Sequence, residues 1–261
     1  MREIVVVGTP GSGKSTFCRL LWEERPSLGG ACAEFELPSL PHGFAETQKE
    51  PFKIAVPIRN FMLCAGCALC QKSCPFGAIW EEDLWIDPFL CEGCGVCVKN
   101  CPNRALQLAN MQIGEIIEGK AGERKFFSGK LFSGARGAPR LLRALRERYR
   151  GDGDVVLDVP ARYGEFLAAA LEEAREVVLL VTPEEPALYL LDRVSFLAPK
   201  ARVYLVLNRI REEDPLVSQI KDKGEGKKFE LVAEVPHHPS PQEAEDGLRK
   251  ALSAFLDLAK L

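Results

Sequence analysis

Short apolar runs alternate with amphipathic stretches along most of the chain. The apolar runs predict strands at residues 4–7, 155–159, 177–181, 203–207 and 229–235. The amphipathic stretches predict helices at residues 17–24, 138–150, 164–175, 187–196 and 243–260. Strands that alternate with helices usually pair in parallel and are covered on both faces. The pattern therefore predicts an α/β fold with a mostly parallel sheet.

One stretch interrupts this alternation, and it divides the chain. We expect residues 1–58 and 110–261 to be two parts of one large domain, with 59–109 inserted as a small α+β domain. Residues 114–137 are rich in Gly and Lys and predict a hairpin and loops before the main domain resumes.

Length and charge agree with this organisation. The chain has 261 residues, enough for one large domain and a small one, and its formal net charge is −3. The balance of charges argues against a dedicated nucleic-acid-binding protein. Since no run of about 18 apolar residues occurs and the chain opens with a strand rather than a signal peptide, we expect no membrane association.

Eight of the ten cysteines form two copies of one pattern. The copies are Cys64-x2-Cys67-x2-Cys70-x3-Cys74-Pro75 and Cys91-x2-Cys94-x2-Cys97-x3-Cys101-Pro102. Bacterial-type ferredoxins hold paired [4Fe-4S] clusters with this run, and the fourth cysteine of each copy ligates the other cluster. We therefore expect two clusters. The first cysteine set is Cys64, Cys67, Cys70 and Cys101, and the second cysteine set is Cys91, Cys94, Cys97 and Cys74.

Two other interpretations of these cysteines are weaker. Structural zinc also takes four thiolates, but its sites usually pair one C-x2-C with a distant second one. A disulfide scaffold is typical of secreted proteins, and nothing in the sequence suggests secretion, so this interpretation is weaker than iron–sulfur clusters. Because cluster thiolates need a reducing compartment, we expect a cytoplasmic location. The remaining cysteines, Cys18 and Cys32, are predicted to be buried small apolar residues.

A phosphate-binding motif follows the first predicted strand. Residues 8–16 read GTPGSGKST, which is G-x4-G-K-S between a strand and a helix. Such a loop holds phosphates with backbone N–H groups and a helix N-terminus. We expect nucleotide contacts from Gly8, Gly11, Ser12, Gly13, Lys14, Ser15 and Thr16. Lys14 is expected to reach the β- and γ-phosphates, and Ser15 is expected to bind Mg²⁺; an accidental glycine-rich turn is the alternative.

A second carboxylate is needed for the metal ion and the attacking water. Asp158 follows the apolar residues 155–157 and is the best candidate; its alternative is a strand-end turn residue. Lys14 and Asp158 are thus the predicted catalytic residues of an ATPase.

The helix at 138–150 carries five arginines. A solvated face is favoured as their interpretation over a docking face for an acidic partner.

Together these motifs resemble the MinD-type P-loop ATPases that carry an inserted ferredoxin domain. The resemblance covers almost the whole chain and includes LLVTP at 179–183, VLNR at 206–209 and EVP at 234–236. It implies that Asn208 contacts the adenine base of ATP. It also leaves open a homodimer, or a hetero-oligomer with a related ATPase.

Two departures from that family weigh against hydrolysis and ATP-driven dimerisation. Thr9 stands where the family commonly has a signature lysine. Arg162 is a candidate to replace that lysine, although a surface loop arginine is the favoured interpretation. The family's acidic element after the first helix corresponds to residues 32–39, where Cys32 replaces the first aspartate and Glu34 and Glu36 stand in for carboxylates.

Three functions are compatible with these features. The favoured hypothesis is ATP-dependent electron transfer through two [4Fe-4S] clusters to a redox partner protein. The alternatives are an ATPase that carries iron–sulfur or other metallocofactors for assembly, and a nucleotide-gated ferredoxin module without significant hydrolysis. A small-molecule kinase is disfavoured, because the sequence offers no obvious lid or substrate-binding arginine cluster.

Overall fold

The structure is a computed structural model that describes residues 2–32, 44–88, 90–135, 137–151, 153–161, 164–211 and 213–261. Its strands are β1 (Glu3–Gly8), β2 (Gly29–Cys32), β3 (Ala45–Arg59), β4 (Leu106–Ala121), β5 (Arg124–Leu131), β6 (Val155–Asp158), β7 (Glu176–Val181), β8 (Arg202–Ile210) and β9 (Glu230–Pro236). Its helices are α1 (Lys14–Glu24), α2 (Leu69–Lys72), α3 (Val96–Lys99), α4 (Ala138–Tyr149), α5 (Glu165–Leu171), α6 (Glu185–Leu197), α7 (Pro215–Gly226) and α8 (Pro241–Ala259).

The described strands form one sheet in the order β3-β4-β5-β2-β6-β1-β7-β8-β9. From β5 to β9 every neighbouring pair is parallel, whereas β3, β4 and β5 pair antiparallel. The prediction of an α/β fold with a mostly parallel sheet is confirmed.

Helices cover both faces of the parallel part of the sheet. Successive residues of a strand face opposite sides, and β1 shows the consequence. Val5 and Val7 pack into a core with α4, α5, α6 and α7, and Ile4 and Val6 pack into a core with α1 and α8. Because β1 is buried on both faces, its sequence is a continuous apolar run rather than an alternating one.

Several elements were not predicted, and their sequences explain why. The 15-residue strand β3 lies at the sheet edge and carries Pro51, Pro57 and many charges, which are typical of protected edge strands. Helix α7 is rich in Lys and Gly, although its start has two signals: Asp214 accepts a hydrogen bond from Leu216 N at 3.0 Å, and Pro215 occupies the first turn.

The arginines of α4, and Arg150 directly after it, are paired with glutamates of this chain. Arg140 pairs with Glu92, Arg143 with Glu172, Arg146 with Glu3, Arg148 with Glu50 and Arg150 with Glu173. Arg146 is also buried, at 6% exposure. The prediction of a solvated face was therefore wrong for Arg146, whose guanidinium ties α4 to β1 and α5.

A long ribbon of β3 and β4 carries the cysteine-rich segment. The chain leaves the ribbon at Arg59 and returns at Leu106, and these two residues are paired across the strands. Cys70, Ile79 and Cys97 pack with Leu106 in a small core within this segment. The segment is therefore placed at one end of the ribbon, while the division at residues 59 and 109 stays a prediction. Of the helices in the described ranges, none is long and apolar enough to cross a membrane.

Candidate nucleotide and iron–sulfur sites

The phosphate loop joins β1 to α1 at the carboxyl end of the parallel strands. Gly11 and Gly13 have φ angles of +68° and +91°, which favour glycine. Gly8 lies against β7, where a methyl group in place of its hydrogen would sit 1.9 Å from the Leu180 carbonyl oxygen. The glycines of the motif are thus required by backbone conformation and by the close approach of two strands.

Helix α1 begins without a side-chain cap and without an acidic residue in its first turn. Its free N–H groups and its dipole therefore favour an anion at this end. Lys14 is buried at 8% exposure, and its ammonium donates a hydrogen bond to the Thr9 carbonyl oxygen at 2.9 Å. Ser15 is exposed in the same turn. The loop thus combines backbone donors, a cation and an accessible hydroxyl.

Thr9 belongs to the interior of the protein. Its side chain is fully buried, and its hydroxyl lies 3.0 Å from the Thr182 hydroxyl. The Thr182 N–H donates to the same Thr9 oxygen at 3.1 Å, and the Thr9 N–H donates to the Leu180 carbonyl at 3.1 Å. Thr9, which stands where the ATPases resembled by this sequence commonly have a lysine, therefore anchors the loop to the end of β7.

Asn208 also holds the phosphate loop. Its Nδ2 donates to the Ser12 carbonyl oxygen at 2.9 Å, and its Oδ1 accepts from the Arg209 N–H at 2.8 Å. Both ends of its amide thus have protein partners, and the adenine contact stays a prediction. No role was predicted for Arg209, yet it lies beside the phosphate loop, since its Nη1 would be 3.7 Å from a methyl group at Gly11. The Asn-Arg pair at the end of β8 is the signal that was available.

Asp158 ends β6 beside the loop, aligned with Val6 of β1 and Cys32 of β2. It is buried, and so is Cys18 of α1. Burial is the largest cause that raises the pKa of the Cys18 thiol well above its ordinary value. The Asp158 carboxylate adds to this increase, and the Lys14 cation lowers the pKa. The charges of the two predicted catalytic side chains therefore act on this thiol in opposite directions. Cys18 is buried as predicted, whereas Cys32 is half-buried; the candidates Glu34, Glu36 and Arg162 lie outside the described residues.

The eight motif cysteines line two cavities, four to each. One cavity is lined by the first cysteine set, Cys64, Cys67, Cys70 and Cys101. The other is lined by the second cysteine set, Cys74, Cys91, Cys94 and Cys97. All are free thiols. Among the described residues, no three Cys, His, Asp or Glu side chains are grouped as ligands of one metal ion. Each cavity thus combines three cysteines of one motif with the last cysteine of the other.

The two motifs share one backbone conformation. Positive φ angles recur at matching positions, in the pairs Gly66 and Gly93, Ala68 and Gly95, and Gly77 and Arg104. Matching N–H groups point at sulfur: Ala78 N donates to Cys74 Sγ at 3.4 Å, and Ala105 N donates to Cys101 Sγ at 3.2 Å. Because N–H···S hydrogen bonds stabilise thiolate sulfur and tune the potentials of iron–sulfur clusters, this donor set fits a cluster in each cavity.

The cavities differ in their surroundings. Cys91 of the second set belongs to the core of the main domain, and Cys74 packs against that core. Around the first set, by contrast, Phe61 is 78% exposed and Met62 is 93% exposed.

Burial raises the pKa of the Cys97 thiol, in the second set, to about 11. Burial also raises the pKa of the Cys91 thiol, whereas the hydrogen bond from the Gly93 N–H and, to a lesser extent, the Arg140 cation lower it. The cationic iron–sulfide core of a cluster would offset that cost of burying thiolates.

Residues 84–107 match the family model described as "4Fe-4S binding domain". The match includes all four cysteines of the second motif, so this stretch is a 4Fe-4S binding sequence. The prediction of an iron–sulfur cofactor is confirmed to that extent. Among curated proteins, none matches the sequence.

Solved structures with a similar fold include two MinD proteins and a synthase. Cell division ATPase MinD of Pyrococcus furiosus is 13% identical with a TM-score of 0.49, over 98% of this chain and 99% of its own. Septum site-determining protein MinD of Pyrococcus horikoshii OT3, complexed with Mg-ADP, is 14% identical with a TM-score of 0.48, over 99% and 97%. Cobyrinic acid a,c-diamide synthase of Mycobacterium smegmatis, with a bound ATP analog and magnesium, is 12% identical with a TM-score of 0.49, over 100% and 96%. MinD-type ATPases are thus among the structural neighbours, while the chemistry of this chain rests on its own residues.

Proposed function

We propose that this protein binds ATP at residues 8–16 and transfers electrons through two [4Fe-4S] clusters to a redox partner protein. The observation that carries the proposal is the grouping of eight cysteines into two cavities, three from one motif and one from the other in each. The phosphate loop lies on the same sheet from which the cysteine-rich segment extends. The nucleotide site and the two clusters would therefore belong to one folded unit.

At the nucleotide end, the loop supplies the groups that ATP requires. Gly8, Gly11, Ser12, Gly13 and Thr16 would surround the phosphates, while Lys14 would pair with the terminal phosphates and Ser15 with Mg²⁺. The Ser12 hydroxyl is buried and has no hydrogen-bond partner among the described residues, so a phosphate oxygen would satisfy it. Asp158 would orient the attacking water through the metal ion, and Asn208 would contact the base.

At the iron–sulfur end, each set of four thiols matches the ligand number of one [4Fe-4S] cluster. Cys70 and Cys97, one from each set, lie in the same small core, so the two sites adjoin. When bound, the clusters supply one-electron redox chemistry. The two cysteine sets would ligate them, with Cys67 and Cys94 at exposed positions.

The exposed apolar residues beside the first set support a docking place for the redox partner. Phe61, Met62, Leu63 and Leu69 are each at least 45% exposed, and all lie within a few residues of Cys64 or Cys67. Exposed apolar groups that adjoin a functional site are typical of protein–protein contacts. The second set, which contacts the main domain, would be the site that senses the nucleotide. The thiolate ligands support a reducing compartment such as the cytoplasm.

The same residues favour slow hydrolysis. Thr9 is buried against Thr182, so the loop offers no lysine that reaches into a partner subunit. A nucleotide-gated ferredoxin module with little turnover is therefore the second candidate, and a homodimer or hetero-oligomer would have to use other contacts. Measuring ATP turnover beside ATP affinity separates the two candidates, since only the first requires turnover.

The deciding experiment is EPR of the anaerobically reconstituted and reduced protein, with and without Mg-ATP. We expect signals from two interacting [4Fe-4S]⁺ clusters that change when Mg-ATP is added. Two clusters indifferent to ATP would leave only a ferredoxin with a structural nucleotide. Tightly bound zinc without an iron–sulfur signal would overturn the proposal, and ready transfer of iron to an apo-protein would favour the assembly carrier.

A further inference from the structure

Arg140 of α4 lies against the loop that carries the second cysteine set. Its Nε is 3.6 Å from Oε2 of Glu92, the residue that follows Cys91. A methyl group at Gly93 would lie 3.0 Å from Arg140 Nη1 and 2.0 Å from the Ala55 carbonyl oxygen of β3. The loop is thus held between a strand of the ribbon and a cation of the main domain.

This contact forms one wall of a cleft between the cysteine-rich segment and the helices of the main domain. The cleft has a volume of about 560 Å³, and its lining includes Phe76 and Glu92 on one side and Arg140, Glu165 and Glu172 on the other. A change in the position of α4 would therefore change the distance between Arg140 and the second set.

The first turn of α5 also lines the cleft, and α5 follows the segment after Asp158. Helix α4 is fixed to the end of α5, because the Arg146 guanidinium donates to the carbonyl oxygens of Ala169 and Ala170, each at 2.6 Å. In P-loop proteins, the segment after this aspartate is the usual place for a response to the terminal phosphate. A movement of that segment would change the position of Arg140 through α5 and α4, since these two helices are hydrogen-bonded to each other.

We propose that Arg140 is a positioning residue that raises the reduction potential of the cluster held by Cys74, Cys91, Cys94 and Cys97, and that it transmits the nucleotide state to that cluster. A guanidinium is always cationic. A nearby cation stabilises the more negative, reduced form of a cluster and so raises its potential. Glu92 acts with the opposite sign. The inference rests on the proposed function, because it assumes both the cluster and the nucleotide.

The chain contains a matched control for Arg140. Arg59 lines the cavity of the first cysteine set, but it belongs to the end of the ribbon, where it donates to the Asp83 and Leu84 carbonyl oxygens. Removing its charge is expected to affect only the first cluster, without loss of the response to nucleotide.

The test is an EPR-monitored redox titration of the reconstituted holoprotein, with and without Mg-ATP. Cys67→Ser and Cys94→Ser assign the signals to the first and second cluster. Without nucleotide, we expect Arg140→Gln to shift the second cluster to a lower potential and Glu92→Gln to shift it to a higher one. Opposite shifts from the two partners of one ion pair cannot arise from general destabilisation. An unchanged second-cluster potential in Arg140→Gln would overturn the electrostatic role.

With Mg-ATP, wild type and Arg59→Gln are expected to show a shifted second-cluster potential, and Arg140→Gln is expected to lose that shift. A shift of wild-type size in Arg140→Gln would refute the transmitting role. If wild type itself shows no shift, nucleotide coupling in the proposed function fails, whereas the comparison without nucleotide still decides whether Arg140 sets the potential.

Discussion

The hydroxyl groups of Thr9 and Thr182 lie 3.0 Å apart in the interior, where they join the start of the phosphate loop to the end of β7. Thr9 also accepts the Thr182 N–H at 3.1 Å. A buried donor that loses its acceptor keeps its full cost of desolvation. This pair therefore holds the loop in place before any nucleotide binds.

Replacing Thr9 with Val is expected to lower the free energy of unfolding by about 1–3 kcal/mol, because the Thr182 N–H and hydroxyl both lose a partner. Chemical denaturation measures the change. Thr47→Val is the control, since the Thr47 hydroxyl bonds to Glu118 on an exposed part of the ribbon. Equal effects of the two substitutions would contradict the anchoring role of Thr9.

Replacing Lys14 with Ala is expected to weaken ATP binding by about 10-fold to 100-fold, the value of one charge-assisted contact to phosphate. Its bond to the Thr9 carbonyl is local, so the protein should still fold. Isothermal titration with Mg-ATP measures the affinity, and circular dichroism checks the fold. Lys200→Ala, at an exposed position, is the control; wild-type affinity in Lys14→Ala would exclude the loop as the nucleotide site.

Double substitutions of cysteines test which thiols share a cluster. Two clusters hold about eight iron atoms per chain. Cys67→Ser with Cys101→Ser removes ligands from one predicted cluster, so about four iron atoms should remain. Cys67→Ser with Cys74→Ser removes a ligand from each cluster, although both cysteines come from the first motif, and iron should fall well below that value.

Iron and acid-labile sulfide assays of the anaerobically reconstituted variants provide the measurement, with Cys18→Ala as a control outside both sets. The opposite order of iron contents in the two double variants would mean that each motif holds its own cluster, contrary to the lining of the cavities.

The matching glycines Gly66 and Gly93 are expected to respond differently to alanine. Both have a positive φ angle, which costs a side chain about 1–2 kcal/mol. At Gly66 a methyl group meets nothing within 4 Å, but at Gly93 it would meet the Ala55 carbonyl oxygen at 2.0 Å. Gly66→Ala should therefore keep both clusters, and Gly93→Ala should displace the loop of the second set and lose its EPR signal. Retention of that signal in Gly93→Ala would show that β3 does not constrain the loop.

Arg146 is expected to be the arginine of α4 that matters most for stability. It donates to Glu3, Ala169 and Ala170 from a buried position, and the Tyr149 hydroxyl donates to the same carboxylate at 2.5 Å. Arg146→Met removes the cation from Glu3, whose side chain is 15% exposed, and the donors from the Ala169 and Ala170 carbonyl oxygens, so the expected loss of stability is about 2–4 kcal/mol.

Arg150→Met, at the residue that follows the last turn of α4, is the matched control. Its pair with Glu173 is largely exposed, and exposed pairs contribute little, so the expected change is within about 0.5 kcal/mol. Chemical denaturation of both variants gives the comparison. Similar losses in the two variants would mean that the network around Glu3 is not a major source of stability.

Local sequence patterns were sufficient for the features that depend on neighbouring residues. The apolar run of β1, the glycine spacing of residues 8–13 and the three-plus-one cysteine rhythm each reflect a short-range requirement. They predicted the parallel sheet, the phosphate loop and the grouping of the cysteines. The strand β3 escaped prediction because an edge strand needs few apolar residues and tolerates prolines and charges.

Other features depend on contacts between residues far apart in the chain. Examples are the bond of Thr9 to Thr182, the approach of Arg140 to Glu92 and the burial of Arg146 against α5. An arginine has the same local signature whether it is solvated or buried beside a carboxylate, because its surroundings are set by packing and not by its sequence neighbours. The pattern of the chain thus determines which chemical groups are present and which elements carry them, whereas long-range packing determines which of these groups meet.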